Sequence, residues 1–263
     1  MREKLCLLAR RCLAWQRRVL DRCCAAKRPA IAHGNQVNFH AGTVMLTACR
    51  MRNRVIGEDS QKRATGEKLI LLHDATATVM LSAAAGEAFI NEFAEEIGMS
   101  RQNTADWDPP LPLSPLMSAA ADVVLDIEFR HGTTQEKYAA AARALGQRFD
   151  RGAMLFQEFE RLFNLGDALM HVHPVRPTEK HAGMQVADEL ATRGIALTSS
   201  APGGFAWYDR VGTPGVARWA CATARAMILA TLDRLPPSLT PVEPLRFARD
   251  LYRRPMFDDE TWT

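Results

Sequence analysis

Of the residues able to move protons, Asp167 and His171 have the most telling spacing, because four residues make one helical turn and bring two side chains within reach. A carboxylate can orient an imidazole, and an oriented imidazole is a general acid or base near neutral pH. The same spacing also belongs to the ordinary polar face of a surface helix, so chemistry is one of two readings of it. His173 and His181 add ligand-type nitrogens, but together with Asp167 and His171 they match no closed zinc spacing and straddle a helix end. A second polar pair, Glu87 and Asn91, stands four apart in a very apolar stretch. It suits hydrogen bonding to a neighbouring helix better than catalysis, since buried polar groups need partners.

The element that must position the first pair reads FDRGAMLFQEFERLFNLGDALMHVHP, residues 149–174. Leu155, Phe156, Phe159, Leu162, Phe163, Leu169 and Met170 form an apolar face, and Gln157, Glu160, Asn164, Asp167 and His171 form a polar stripe. A helix over 153–172 follows, closed by Pro174. Glu87 and Asn91 fall on a longer helix over 67–97, whose middle is rich in Ala, Ser, Thr and Gly86 and so admits a close neighbour. Gly98 and the proline-rich run at 108–115, a loop or lid, end that helix. Further helices are predicted at 117–129, 134–145, 182–193, 216–235 and 243–253, with a turn at Gly203 and Gly204. Residues 37–65 give mixed signals, including a short strand over 43–48.

Composition sets the outer bounds. The chain has 263 residues, 47% of them hydrophobic, enough for one sizeable core. Ala-, Leu-, Glu- and Arg-rich stretches with few aromatics favour an all-α fold. Residues 1–30 hold nine Lys/Arg against Glu3 and Asp21, whereas the rest has 24 Lys/Arg against 28 Asp/Glu. A mildly acidic body argues against a broad phosphate-gripping surface, so any nucleic-acid contact is local. The basic head carries Leu5, Leu8, Cys12, Trp15 and Val19 on one stripe, with Arg10, Arg11, Arg17 and Arg18 beside it. It suits an anionic surface, a transit peptide or a weakly ordered extension. Four of six cysteines lie there and form no disulfide framework, which points to a reducing cytoplasm. The most apolar stretch, residues 75–90, is too short and too interrupted to span a bilayer.

The run from Glu136 to Pro174, with EKYAAAARALG, RFDRGAMLFQEFERLF and NLGDALMHVHP, resembles bacterial helical proteins of the higher eukaryote and prokaryote nucleotide-binding (HEPN) type. HDATATVMLSAAAGEAFINEFAEEIG, residues 73–98, is similar to their first long helix, and TPGVARWACATARAMILATLDRLP, residues 213–236, to their closing one. The resemblance implies a HEPN-like helical bundle over residues 66–236, a homodimer, and an RNA-related role in a defence, stress or toxin–antitoxin setting with an antitoxin or defence-system partner. It also implies a metal-independent RNA-cleaving site, in which His171 is the catalytic proton-transfer group and Asp167 its orienting partner. The arginine of that motif falls on Gly166, and Arg161 lies too far round the helix to replace it. The expectation is therefore a weakened or inactive endoribonuclease, with no cofactor and no metal. The alternative is a non-enzymatic dimerisation or interaction protein.

His73-Asp74 resembles the dipeptide of helical HD-type phosphohydrolases, for which His40 and Asp122 are the nominal further ligands. No spacing selects them. Phosphate-loop, dinucleotide and nucleophile-elbow motifs are absent from the sequence. Trp207, Trp219, Met227 and Leu229 are read as core, and residues 258–260 as a solvated tail. The resulting map is a basic amphipathic extension at 1–36, an irregular lead-in at 37–65, the helical domain at 66–236, and a C-terminal helix and tail at 237–263.

Overall fold

Caps and prolines set the starts of several described helices. Thr133 Oγ1 accepts from the Glu136 amide at 3.2 Å while Glu136 Oε2 accepts from the Thr133 amide at 2.9 Å, a reciprocal capping box. Thr213 Oγ1 accepts from the Val216 amide at 3.1 Å, and Pro214 follows at the first helical position, where a missing amide costs nothing. Pro115 plays the same part for its own helix.

The computed structural model describes residues 40–65, 72–105, 113–146, 150–171, 182–198, 206–236 and 243–254, all within one unit. Among them the elements are α1 (His40–Thr65), α2 (Leu72–Ala105), α3 (Pro115–Phe129), α4 (Thr134–Ala144), α5 (Met154–Met170), α6 (Ala182–Thr192), α7 (Trp207–Arg210), α8 (Pro214–Leu232) and α9 (Glu243–Tyr252). The described residues contain no strand, and the fold is all-α.

Helix α2 is the hub, packing against α1, α3, α5 and α8. Its small middle allows this: Ala75, Val79, Ser82, Ala85, Phe89, Phe93 and Ile97 are buried along one side. Burying each Phe or Ile contributes roughly 1.5–3 kcal/mol, so this seam is a major stabilising contact. Tyr138 of α4 reaches into it, donating its hydroxyl to the Gly86 carbonyl at 2.8 Å and meeting Phe159 of α5 edge-on at 4.9 Å. Where α1, α2 and α8 meet, Cys49 and Cys221 lie 2% and 1% exposed, and the Ser82 hydroxyl sits 3.6 Å from the Cys221 sulfur. The neighbouring Cys49 thiol and burial both push the Cys221 thiol well up.

The irregular lead-in and the strand over 43–48 are corrected by α1. Ala41, Met45, Ala48, Cys49, Arg52 and Val55 all face the core at helical spacing. Arg52, 1% exposed, reads in sequence as a polar break in that face, and the β-branched Thr43, Val44 and Thr47 imitate a strand. The first turn of α1 is capped from outside, because the Ala41 amide donates to both Glu92 carboxylate oxygens at 3.1 and 3.2 Å. Residues 1–36, the turn at Gly203 and Gly204, and the tail at 258–260 lie outside the described residues.

Candidate functional site at the end of helix α5

Helix α5 buries the centre of the apolar face predicted for it and leaves Leu155, Phe163 and Met170 half-buried. Phe156, Phe159, Leu162, Leu165, Ala168 and Leu169 turn inward, while Gln157, Asn164, Asp167 and His171 are exposed. His171 caps the helix, its amide donating to the Asp167 carbonyl at 2.9 Å. Its Nε2 lies 3.6 Å from Asp167 Oδ1, so the pair is brought together as expected. Both side chains are open to solvent, at 61% and 74% exposure, where such pairs are worth about 0–1 kcal/mol.

Gly166, by contrast, does not share their face. It is buried against α2, and a Cβ placed on it would stand 3.3 Å from the Cβ of Ala83. An arginine there would have to leave through the α2–α5 contact. The glycine thus serves close helix packing, a reason the motif comparison alone does not supply.

Two described arginines beside the middle of this helix, Arg161 and Arg193, are engaged by carboxylates. Arg161 bonds to Glu189 through Nε and lies 3.1 Å from Glu158 Oε1, and its guanidinium is held further in the charged form, first by the Glu189 hydrogen bond. Arg193 reaches Glu158 Oε2 at 2.7 Å. Trp219 of α8 donates Nε1–H to the same oxygen at 2.5 Å. Burial pushes the Glu158 carboxyl up, but the hydrogen bonds from Arg193 and Trp219, with the charges of Arg193 and Arg161, leave it net below the usual range. This knot ties α5, α6 and α8 together. Trp219 is buried, as a core residue should be, but its indole N–H also needs an acceptor, and Glu158, which supplies it, lies outside the predicted polar stripe. The signal was the departure of Glu158 from both faces of the helical pattern.

Asn91 behaves as predicted for a packing group: its Oδ1 accepts from Lys137 Nζ at 2.9 Å, across to α4. Lys137, 1% exposed, also pairs with Glu128. Glu87 instead lies exposed, so only the half-buried Asn91 of the pair makes the predicted cross-helix bond.

Among the described residues no three His, Cys, Asp or Glu gather as a metal site. His73 and His40 are exposed, Asp74 pairs with Arg54 at 3.1 Å, and Asp122 pairs with Arg101 at 2.8 Å. His173 and His181 lie outside the described residues. No described helix is long and apolar enough to cross a membrane. Compared with family models, with curated proteins and with solved structures, the chain matches none.

Proposed function

We propose that the chain is a HEPN-like, RNA-associated protein that does not cleave RNA, an inactive relative of metal-independent endoribonucleases. The supporting observation is the placement of position 166. Cleavage of this kind needs a cation against the phosphorus centre while a histidine moves the 2′-hydroxyl proton. Here the proton carrier stands exposed with its carboxylate, but the position that would supply the cation is packed against Ala83, and Arg161 and Arg193 are committed to carboxylates.

The test is an RNA-cleavage assay on EDTA-treated protein beside His171→Ala, run with an RNA-binding measurement at low salt. Binding without cleavage in either protein is the expected result. Cleavage by wild type that is lost in His171→Ala would overturn the inactive assignment, and no binding at any salt would remove the RNA role.

A non-enzymatic interaction role is favoured by a different observation. Phe129 is 84% and Leu125 40% exposed, one turn apart on α3. Such a pair suits a second copy or another protein, with Phe129 as the anchoring side chain. Phe129→Ser is expected to lower the sedimentation-measured oligomer size if this face dimerises, and to leave RNA affinity unchanged.

A further inference from the structure

Between the α3–α4 turn and the start of α5 lies an open cleft of about 350 Å³, lined by Ile127, Arg130, Gly132, Glu136, Arg143 and Arg151. Three guanidiniums and one carboxylate line it, and a second carboxylate, Asp126, pairs with Arg130 from outside the lining. That balance is unusual for a chain whose body outside the basic head carries more acidic than basic residues.

The lining carboxylate forms no ion pair with any of the three. Glu136 Oε2 accepts the Thr133 amide at 2.9 Å and is held at the first turn of α4 by the capping box. Asp150, beside Arg151 in the chain, has Oδ1 turned to the Gly152 amide at 2.8 Å. Arg130 is steadied by Asp126, through Nη2 to Oδ2 at 2.6 Å and Nε to the carbonyl at 3.3 Å. Arg143 uses Nε on the Ala139 carbonyl at 3.3 Å, which anchors the side chain and spends none of its terminal nitrogens on a carboxylate. Arg151 forms no ion pair with any described residue. Among the described residues, one guanidinium is thus braced by a carboxylate, one by a carbonyl, and the third by neither.

The turn that carries the rim is unusually constrained. Its amides close on α3, His131 to the Glu128 carbonyl at 2.9 Å and Gly132 to the Ile127 carbonyl at 2.8 Å, a Schellman arrangement. His131 takes the left-handed conformation at φ 56°, where glycine is usual. Gly132 cannot be replaced without collision, since a Cβ would stand 2.5 Å from Ile127 Cγ2. The backbone therefore fixes where Arg130 leaves the helix.

We infer that the Arg130–Arg143–Arg151 cleft binds a phosphate group, presented either by a single-stranded RNA backbone or by a free phosphorylated molecule. Arginine forks match phosphate oxygens in pairs, and a dianion or diester engages three of them better than a lone carboxylate does. The volume leaves room for a nucleotide-sized remainder beside the phosphate. This site is separate from His171 and stands without the inactive-nuclease reading.

The experiment titrates inorganic phosphate, with acetate as control, and a labelled short single-stranded oligoribonucleotide into the full chain. It is repeated with Arg143→Gln, Arg151→Gln and the double variant, all on surface side chains, with circular dichroism to confirm folding. Phosphate binding over acetate, weakened at least roughly tenfold in the double variant, is expected. If RNA is the source, oligonucleotide affinity falls in parallel and its logarithmic salt slope drops by about one. Phosphate binding without RNA binding keeps the cleft as a small-molecule site and removes the RNA role. RNA binding unchanged in the double variant, with no phosphate preference over acetate, overturns the cleft and leaves the RNA role in place. No binding of either probe overturns the cleft as well.

Discussion

Two carboxylates, Glu158 and Glu92, have opposite electrostatic consequences. Glu158 accepts from Arg193 and Trp219 in a half-buried knot, and truncating it takes this acceptor from an indole N–H and from Arg193 and leaves Arg161 with Glu189. Glu158→Ala is expected to cost about 2 kcal/mol in a urea denaturation. Its depressed folded pKa means that its contribution is present above the unfolded value and fades as pH falls below it. Glu92 runs the other way. Burial pushes it up to about 7, with Glu95 and Glu96 adding to the rise against the amides of Ala41 and His40. The folded chain therefore holds an extra proton between pH 4.5 and about 7, and stability falls as pH rises through that window. Glu92→Gln keeps an oxygen for the Ala41 amide but cannot ionise. Its unfolding free energy should change less between pH 5 and pH 8 than that of wild type, by roughly 1–3 kcal/mol. An unchanged difference would show that Glu92 is not the group responsible.

At the scale of the helix, position 166 shows why a motif and a fold can disagree about one residue. Spacing placed Asp167 and His171 together, and they are together; spacing also aligned an arginine position with Gly166, whose inward direction depends on where α2 runs. Gly166→Arg is accordingly expected to destabilise by about 3 kcal/mol or more, through overpacking and a buried charge, and to restore no cleavage. A folded, RNA-cleaving Gly166→Arg protein would refute this account. The helices with a clean apolar stripe, as for α5, or with a proline or capping-box start, as for α4 and α8, were legible to within a few residues. Helix α1 was not, because Arg52 occupies a core position and a buried arginine carries no signature of burial in sequence. The short α7 was missed for the same kind of reason: Trp207 is buried by contacts distant in sequence, and four residues are too few for periodicity to register.

At the scale of the whole molecule, polar ties converge on α2 and its neighbours instead of forming one chemical centre. Lys137 reaches Asn91 on α2, Tyr138 reaches Gly86, and Glu92 caps α1. Lys137→Met removes a buried ammonium while keeping its bulk; the expected cost is about 1–2 kcal/mol, because Asn91 loses its donor while Glu128 regains water. Equilibrium denaturation monitored by tryptophan fluorescence provides the check. The cleft of arginines was not legible in sequence, since Arg130, Arg143 and Arg151 belong to three separate segments whose meeting depends on the turn at His131.

The thiols of Cys49 and Cys221 give the folded chain a clock of its own. They lie where α1, α2 and α8 meet, almost without access to solvent, so an alkylating reagent reaches them only when those three helices part. If the three helices form one cooperative unit, both sulfurs are modified at a single rate, equal to the reagent's rate on the unfolded chain scaled by the open fraction. If α1 can peel away alone, both are uncovered in that opening too, but at a frequency above that of global unfolding. Comparing their peptide-resolved modification with denaturant-measured stability would therefore count the moving parts of this bundle without altering a residue.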